Sequence, residues 1–188
     1  MELFIATTNK HKVEEISRIL SAHKIALRHR ELKIIEPDFD SLEEIAAEKA
    51  RQAYETLRAP VIAEDTGVYF DAYRNFPGTL AKRVFLGLGF EGLLLLIRSA
   101  KTKRAHFSTV ICYHDGKESR CFSGELGGTL LQELVSVEKD RLPYEKLFVP
   151  DGHSAALVDL PIEEKNKISH RGKAAAKLAK WLVSKGKK

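Results

Sequence analysis

The strongest constraint in this sequence is a strand-to-helix alternation that occurs twice within the first 67 residues. Residues 3–6 read as a short apolar strand ending at Thr7-Thr8-Asn9. A helix over residues 10–22 follows, with Val13, Ile16, Ile19 and Leu20 at helical spacing. A second helix, over residues 42–57, places Leu42, Ile45, Ala46, Ala50, Ala53, Tyr54 and Leu57 on one face. Ser41 and Glu44 supply the S-x-x-E capping box that starts it. Pro60-Val61-Ile62-Ala63 then reads as a buried strand running straight into Glu64-Asp65-Thr66-Gly67.

Beyond Pro77-Gly78 a helical region extends through Phe90 to Ile97. Residues 106–113 and 119–123 look like a hairpin closed by Asp115-Gly116. Residues 124–159 read as loop-rich, and the chain from Pro161 onward as helical with Ala175, Leu178, Ala179 and Leu182 inward. Lys185-Gly186-Lys187-Lys188 reads as a frayed tail. Early alternation followed by a late hairpin favours an α/β fold with a mixed central sheet flanked by helices. At 188 residues the chain suits one domain over residues 1–188 and buries roughly 70% of its unfolded surface without a staple.

Charge narrows the partner without naming it. Lys and Arg number 31 against 26 Asp and Glu, a net charge of +5 that fits a nucleotide, nucleic acid or acidic membrane alike. The longest apolar run, residues 92–97, is far below the ~18 residues needed to span a bilayer. With no secretory pattern at the start, the expectation is a soluble cytoplasmic protein that uses no membrane. Cys112 and Cys121 flank the turn and are read as reduced packing residues, a cross-strand disulfide being the alternative.

Four segments carry candidate chemistry. Thr7-Thr8-Asn9-Lys10-His11-Lys12 opens a helix, whose free N–H groups and dipole suit a phosphate; an Asn cap beside solvated lysines is the plainer reading. Cations in a first turn oppose the dipole, so Lys10, His11 and Lys12 cost something if they do nothing. Lys49 falls between Ile45 and Ala53 in the apolar stripe, where an ammonium needs a partner, a ligand or a snorkelling route. Glu64 and Asp65, adjacent carboxylates at a strand end, repel unless a cation intervenes. Mg²⁺ with phosphate fits, and Asp65 can then take a proton from water; a strand-capping Asp-Thr-Gly turn is the structural alternative. Glu36 is a further candidate metal ligand. In residues 163–173, Ser169 reads as an N-cap that puts His170 and Arg171 in a first turn, again the wrong end for cations.

Taken in order, these segments resemble the inosine/xanthosine triphosphate pyrophosphatase family. T-x-N-x-x-K matches Thr7, Asn9 and Lys12, and the lysine-helix element matches at Lys49-Ala50-Arg51. [DE]-D-[ST]-G matches Glu64-Asp65-Thr66-Gly67, and F-P-G matches Phe76-Pro77-Gly78. F-x-G-x-x-x-G falls on Phe122, Gly124 and Gly128, and E-E-K-N-x-x-S-H-R-G-K-A on residues 163–174. The resemblance implies two lobes enclosing a nucleotide cleft, a homodimer, and Mg²⁺-dependent cleavage of non-standard purine triphosphates to monophosphate and pyrophosphate. It implies that Thr7, Thr8, Asn9, Lys10, His11, Lys12 and Lys49 hold phosphates. Asp65 becomes the base, with Lys12 and Lys49 as its catalytic partners, and Glu36, Glu64 and Asp65 the metal ligands. Thr66, Tyr144, Glu145, Lys165, His170 and Arg171 contact the rest of the substrate.

One segment departs from that family. Its G-F-G-[YW]-D-P-[IV]-F element is replaced by Arg141-Leu142-Pro143-Tyr144-Glu145-Lys146-Leu147-Phe148, which keeps Tyr144 and Phe148 but puts Leu142 for an aromatic and Glu145 for Asp. Altered base specificity is therefore a second enzymatic reading. A non-catalytic nucleotide- or nucleic-acid-binding protein is the third, disfavoured by the carboxylate pair and by the lack of an aromatic-interleaved basic platform.

Overall fold

The computed structural model describes residues 2–36 and 38–186; Lys187 and Lys188, half of the expected tail, lie outside them. Lys185 is no frayed end, since it closes the last helix and pairs with Asp115 at 2.7 Å. The elements in order are β1 (Glu2–Ala6), α1 (Lys10–Ser21), β2 (Ala26–Arg30), α2 (Leu42–Leu57), β3 (Val61–Phe70), β4 (Phe76–Gly78), α3 (Ala81–Ser99), β5 (Arg104–His114), β6 (Ser119–Leu130), β7 (Phe148–Pro150), α4 (Ile162–Ile168) and α5 (His170–Lys185). The sheet runs β2-β1-β3-β5-β6-β7, with β4 on β3. β1 is parallel to β2 and β3, and the remaining pairs are antiparallel. This is the expected mixed sheet flanked by helices.

The caps read from sequence form. Asn9 Oδ1 accepts from the N–H groups of His11 and Lys12, Ser41 Oγ from Glu44, and Ser169 Oγ from Gly172. Two expectations are corrected. Glu64–Gly67 is no strand-ending turn, because β3 continues to Phe70, paired residue for residue with β5. Nor is the stretch after residue 123 wholly loop, because β6 runs on to Leu130 and β7 follows. The glycines at 124, 127 and 128 masked that strand by diluting its apolar alternation.

The cysteines are also corrected. The hairpin register sets Cys112 opposite Cys121, their Cα atoms 4.0 Å apart, and the two are joined as a disulfide. Cys112 is fully buried beneath α2 with Ala46 and Ala50.

Two apolar cores occupy opposite ends of one sheet face. Ile62, Ile111 and Phe122 pack with α1 and α5, whereas Val68, Phe107 and Leu126 pack with α3 and the region around β7. Since side chains alternate along a strand, the residues between these cores on that face are Glu64, Thr66, Thr109 and Gly124. The polar seam between the cores is where the site lies.

Candidate active site

The chain passes from β1 to β2 on one side and later to β3 on the other. The carboxyl end of β1 is therefore a switch point, with α1 and α2 leaving on opposite faces, the place where open α/β sheets hold ligands. A cavity of about 670 Å³ opens there. The turn Thr7–Asn9 forms its rim. Thr7 Oγ1 accepts from the Asn9 N–H at 3.1 Å, and no acidic residue occupies the first turn of α1.

β3 sends its two carboxylates to opposite faces of the sheet. Asp65 turns to α2 and meets Lys49 Nζ at 3.0 Å; the same ammonium donates to Glu36 at 3.1 Å. Lys49 is only 14% exposed despite its charge, as its place in the stripe required. Glu36 is brought there by its neighbour Ile35, whose N–H and C=O are both bonded by the Gln52 amide. Glu64 turns to the other face, fully buried, against Lys12 and Arg171.

These surroundings drive the two carboxyls apart. Burial works to raise Glu64, but Lys12 and Arg171 outweigh it and hold the group well below the usual carboxylate range. Burial raises Asp65 above its ordinary value, the nearby Glu64 charge adds to that, and Lys49 and Lys12 only partly offset it. One acid is thus locked as an anion and its neighbour is poised to accept a proton, the division of roles acid–base sites use. Lys49 is desolvated, yet Asp65 and Glu36 raise its pKa and keep it charged.

Behind this pair lies a buried ionic network that the sequence reading missed. Arg171, with no exposed surface, donates to Glu64 at 3.0 Å and to Glu15 at 2.6 Å. Glu15 also receives Lys165 at 2.6 Å, and Lys165 donates equally to Glu145. Glu15 was detectable: it falls on the Lys12–Ile16–Ile19 side of α1, where a carboxylate has the same need of a partner that marked Lys49. Thr109 was not, because only the β3–β5 register places its hydroxyl 2.6 Å from that of Thr66. Gly124 makes the approach of α5 possible, since a Cβ there would lie 2.2 Å from the His170 carbonyl oxygen.

The cleft brings together Thr7, Thr8, Asn9, Lys10, His11, Lys12, Glu36, Lys49, Asp65, Thr66, Tyr144 and Arg171. Phe85, Phe107 and Leu142 add apolar wall that no motif had marked as such, except Leu142. Tyr144 is fixed by its hydroxyl to the Ala81 carbonyl at 2.9 Å. Glu64, Glu145, Lys165 and His170 stand behind the wall. His170 is buried, stacks on Phe107 with centroids 4.7 Å apart, and has neither ring nitrogen paired. Burial and the adjacent Arg171 push its pKa well down, so it is neutral.

Among the described residues, no group of three or more His, Cys, Asp and Glu side chains is arranged to hold a metal alone. Glu36 and Asp65 do converge on one cation, the Lys49 ammonium. Two hard oxygen donors flanking a cation-sized point suit Mg²⁺, which takes one or two carboxylates and fills its other positions with water and phosphate oxygens.

Fold and cleft together define a mixed-sheet α/β protein with a cationic, carboxylate-flanked pocket at its strand switch point. Residues 3–181 match the profile of the Ham1 family, and the chain belongs to that family. It is 37% identical over 185 residues to a protein of Hyperthermus butylicus named dITP/XTP pyrophosphatase, covering 98% of this chain and 96% of that one. A Methanopyrus kandleri protein of the same name is 37% identical over 182 residues, covering 96% of each. A HAM1 protein from Coxiella burnetii shares the fold, with a TM-score of 0.83 at 24% identity over 98% of this chain and 99% of that one.

Proposed function

We propose that residues 1–188 form one nucleoside triphosphate pyrophosphatase domain that hydrolyses non-standard purine triphosphates (dITP, ITP and XTP) to the monophosphate and pyrophosphate. The observation that carries this reading is the divided carboxylate pair, with Asp65 raised and Glu64 held ionised, beside two half-buried lysines, Lys12 at the start of α1 and Lys49 in the middle of α2. Relatives named dITP/XTP pyrophosphatase cover nearly the whole chain and support the substrate class.

In this reading the rim from Thr7 to Lys12 and Lys49 hold the phosphates, and Asp65 takes the proton of the attacking water. Phosphoryl chemistry is mostly positioning and charge stabilisation, which cations on fixed elements supply. Glu36 and Asp65 would hold Mg²⁺, which would supply charge neutralisation on the phosphate oxygens; Glu64, expected as a third ligand, is turned to the opposite face against Lys12 and Arg171 and is not placed to join them. Thr66, Tyr144 and Arg171 face the substrate. Glu145 and Lys165, set behind the wall, orient Arg171 through Glu15, and His170 packs on Phe107 rather than reaching the substrate.

We place the protein in the cytoplasm; no described helix is long and apolar enough to cross a membrane. We expect a homodimer, as the family resemblance implies. Incubation with dITP and Mg²⁺ tests the main reading: pyrophosphate must appear, and orthophosphate alone overturns it. The Leu142 wall favours a second reading in which the same chemistry accepts ordinary bases, identified by equal turnover of ATP and ITP.

A further inference from the structure

His29 lies on β2, outside every motif, with its side chain directed at the phosphate rim. Its Nε2 stands 2.6 Å from the Thr7 backbone oxygen. A carbonyl oxygen only accepts, so Nε2 carries the proton and donates. Thr7 N–H in turn donates to the Arg30 carbonyl at 3.3 Å, continuing the β1–β2 pairing for one residue. The two backbone groups of Thr7, which belong to successive peptide units, are therefore both held by β2.

The clamp has a directional result. A trans peptide sets its N–H opposite its C=O. With the Thr7 carbonyl turned to His29, the Thr8 N–H of the same peptide unit is turned the other way. Thr8 lines the cleft and His29 does not. Thr8 N–H has no acceptor among the described residues, whereas the amides of Asn9, His11 and Lys12 are all taken by the Thr7 and Asn9 side chains. Among the described residues the rim thus leaves two backbone donors uncommitted, those of Thr8 and Lys10, and His29 determines where the Thr8 N–H points.

We propose that His29 is a positioning residue for anion binding: by holding the Thr7 carbonyl it aims the Thr8 N–H at a phosphate in the cleft. This rests on the rim holding phosphates, as in the function proposed above. A histidine that served only sheet pairing would affect stability and leave affinity and the rescue by glutamine unmoved.

The test is calorimetric titration of wild type, His29→Leu and His29→Gln with Mg²⁺-tripolyphosphate, alongside KM and kcat for ITP. His29→Leu is expected to weaken tripolyphosphate binding about tenfold and raise KM similarly, with kcat within about twofold, the size of one charge-assisted hydrogen bond. His29→Gln, which keeps a donor at similar reach, is expected within about threefold of wild type. His29→Asn, polar but too short, must match leucine, and it decides the matter if leucine prevents folding. Unchanged affinity in the Leu and Asn variants, or a Gln variant as weak as they are, overturns the inference. Wild type that binds no tripolyphosphate overturns the phosphate assignment as well. Wild type that binds it without hydrolysing ITP overturns only the proposed activity, and the calorimetry still decides the role of His29.

Discussion

Arg171 Nε donates to Glu64 Oε1 at 3.0 Å between two side chains with no solvent exposure, joining the first turn of α5 to the middle of β3. Removing one partner of a buried pair strands the other charge, which costs about 3–5 kcal/mol. Arg171→Met is expected to lose that much in urea unfolding, because both Glu64 and Glu15 are left without their guanidinium.

Asp65→Asn is expected to abolish pyrophosphate release, by about 10²–10⁴-fold, without lowering the melting temperature. The sign follows from its shift. A carboxyl whose folded pKa is raised is unfavourably ionised in the folded state above that pKa, so neutralising it costs no stability. For the wild type, the acid limb of kcat/KM is expected above pH 3.8, activity falling as the base is protonated.

Glu15 behaves oppositely. Burial alone would raise it, but Arg171 and Lys165 lower it from 4.5 to about 2. Its stabilisation, on the order of 3 kcal/mol, is fully present above pH 4.5 and lost as pH falls toward 2. Urea unfolding at a series of pH values should show that loss, and Glu15→Gln should flatten it while being less stable at pH 7.

Gly124→Ala introduces a Cβ 2.2 Å from the His170 carbonyl oxygen and 2.7 Å from the Ala174 nitrogen, both backbone. Overpacking of this kind costs about 1–3 kcal/mol. Because α5 must retreat, carrying Arg171 with it, hydrolysis is expected to fall more than stability alone explains, measured well below the melting temperature.

Much of the site was legible because its residues break local rules. Cations in the first turns of α1 and α5 and a lysine in the stripe of α2 each lack a local reason. Residues whose partners are set by register were not legible. Thr109 reads as an ordinary strand residue until β5 aligns it with Thr66, and His29 until β2 pairs with β1. β2, with alternating exposed and half-buried side chains at the sheet edge, had no apolar signature to read. The Glu64–Gly67 segment looked like a turn because Asp, Thr and Gly favour turns, but tertiary pairing on β5 overrode that preference.

Lys49 rests on Asp65 and Glu36, and Lys12 on Glu64, so these two cations of the cleft are already paired with its own carboxylates. A lone polyanion must pull the lysines from carboxylates that stay behind unbalanced, and a lone cation leaves the lysines unbalanced in the same way. Only when both arrive does each of these side chains find a new counterpart. On the proposed function the pocket would therefore act as an ion exchanger, admitting the salt of its ligand in preference to either ion.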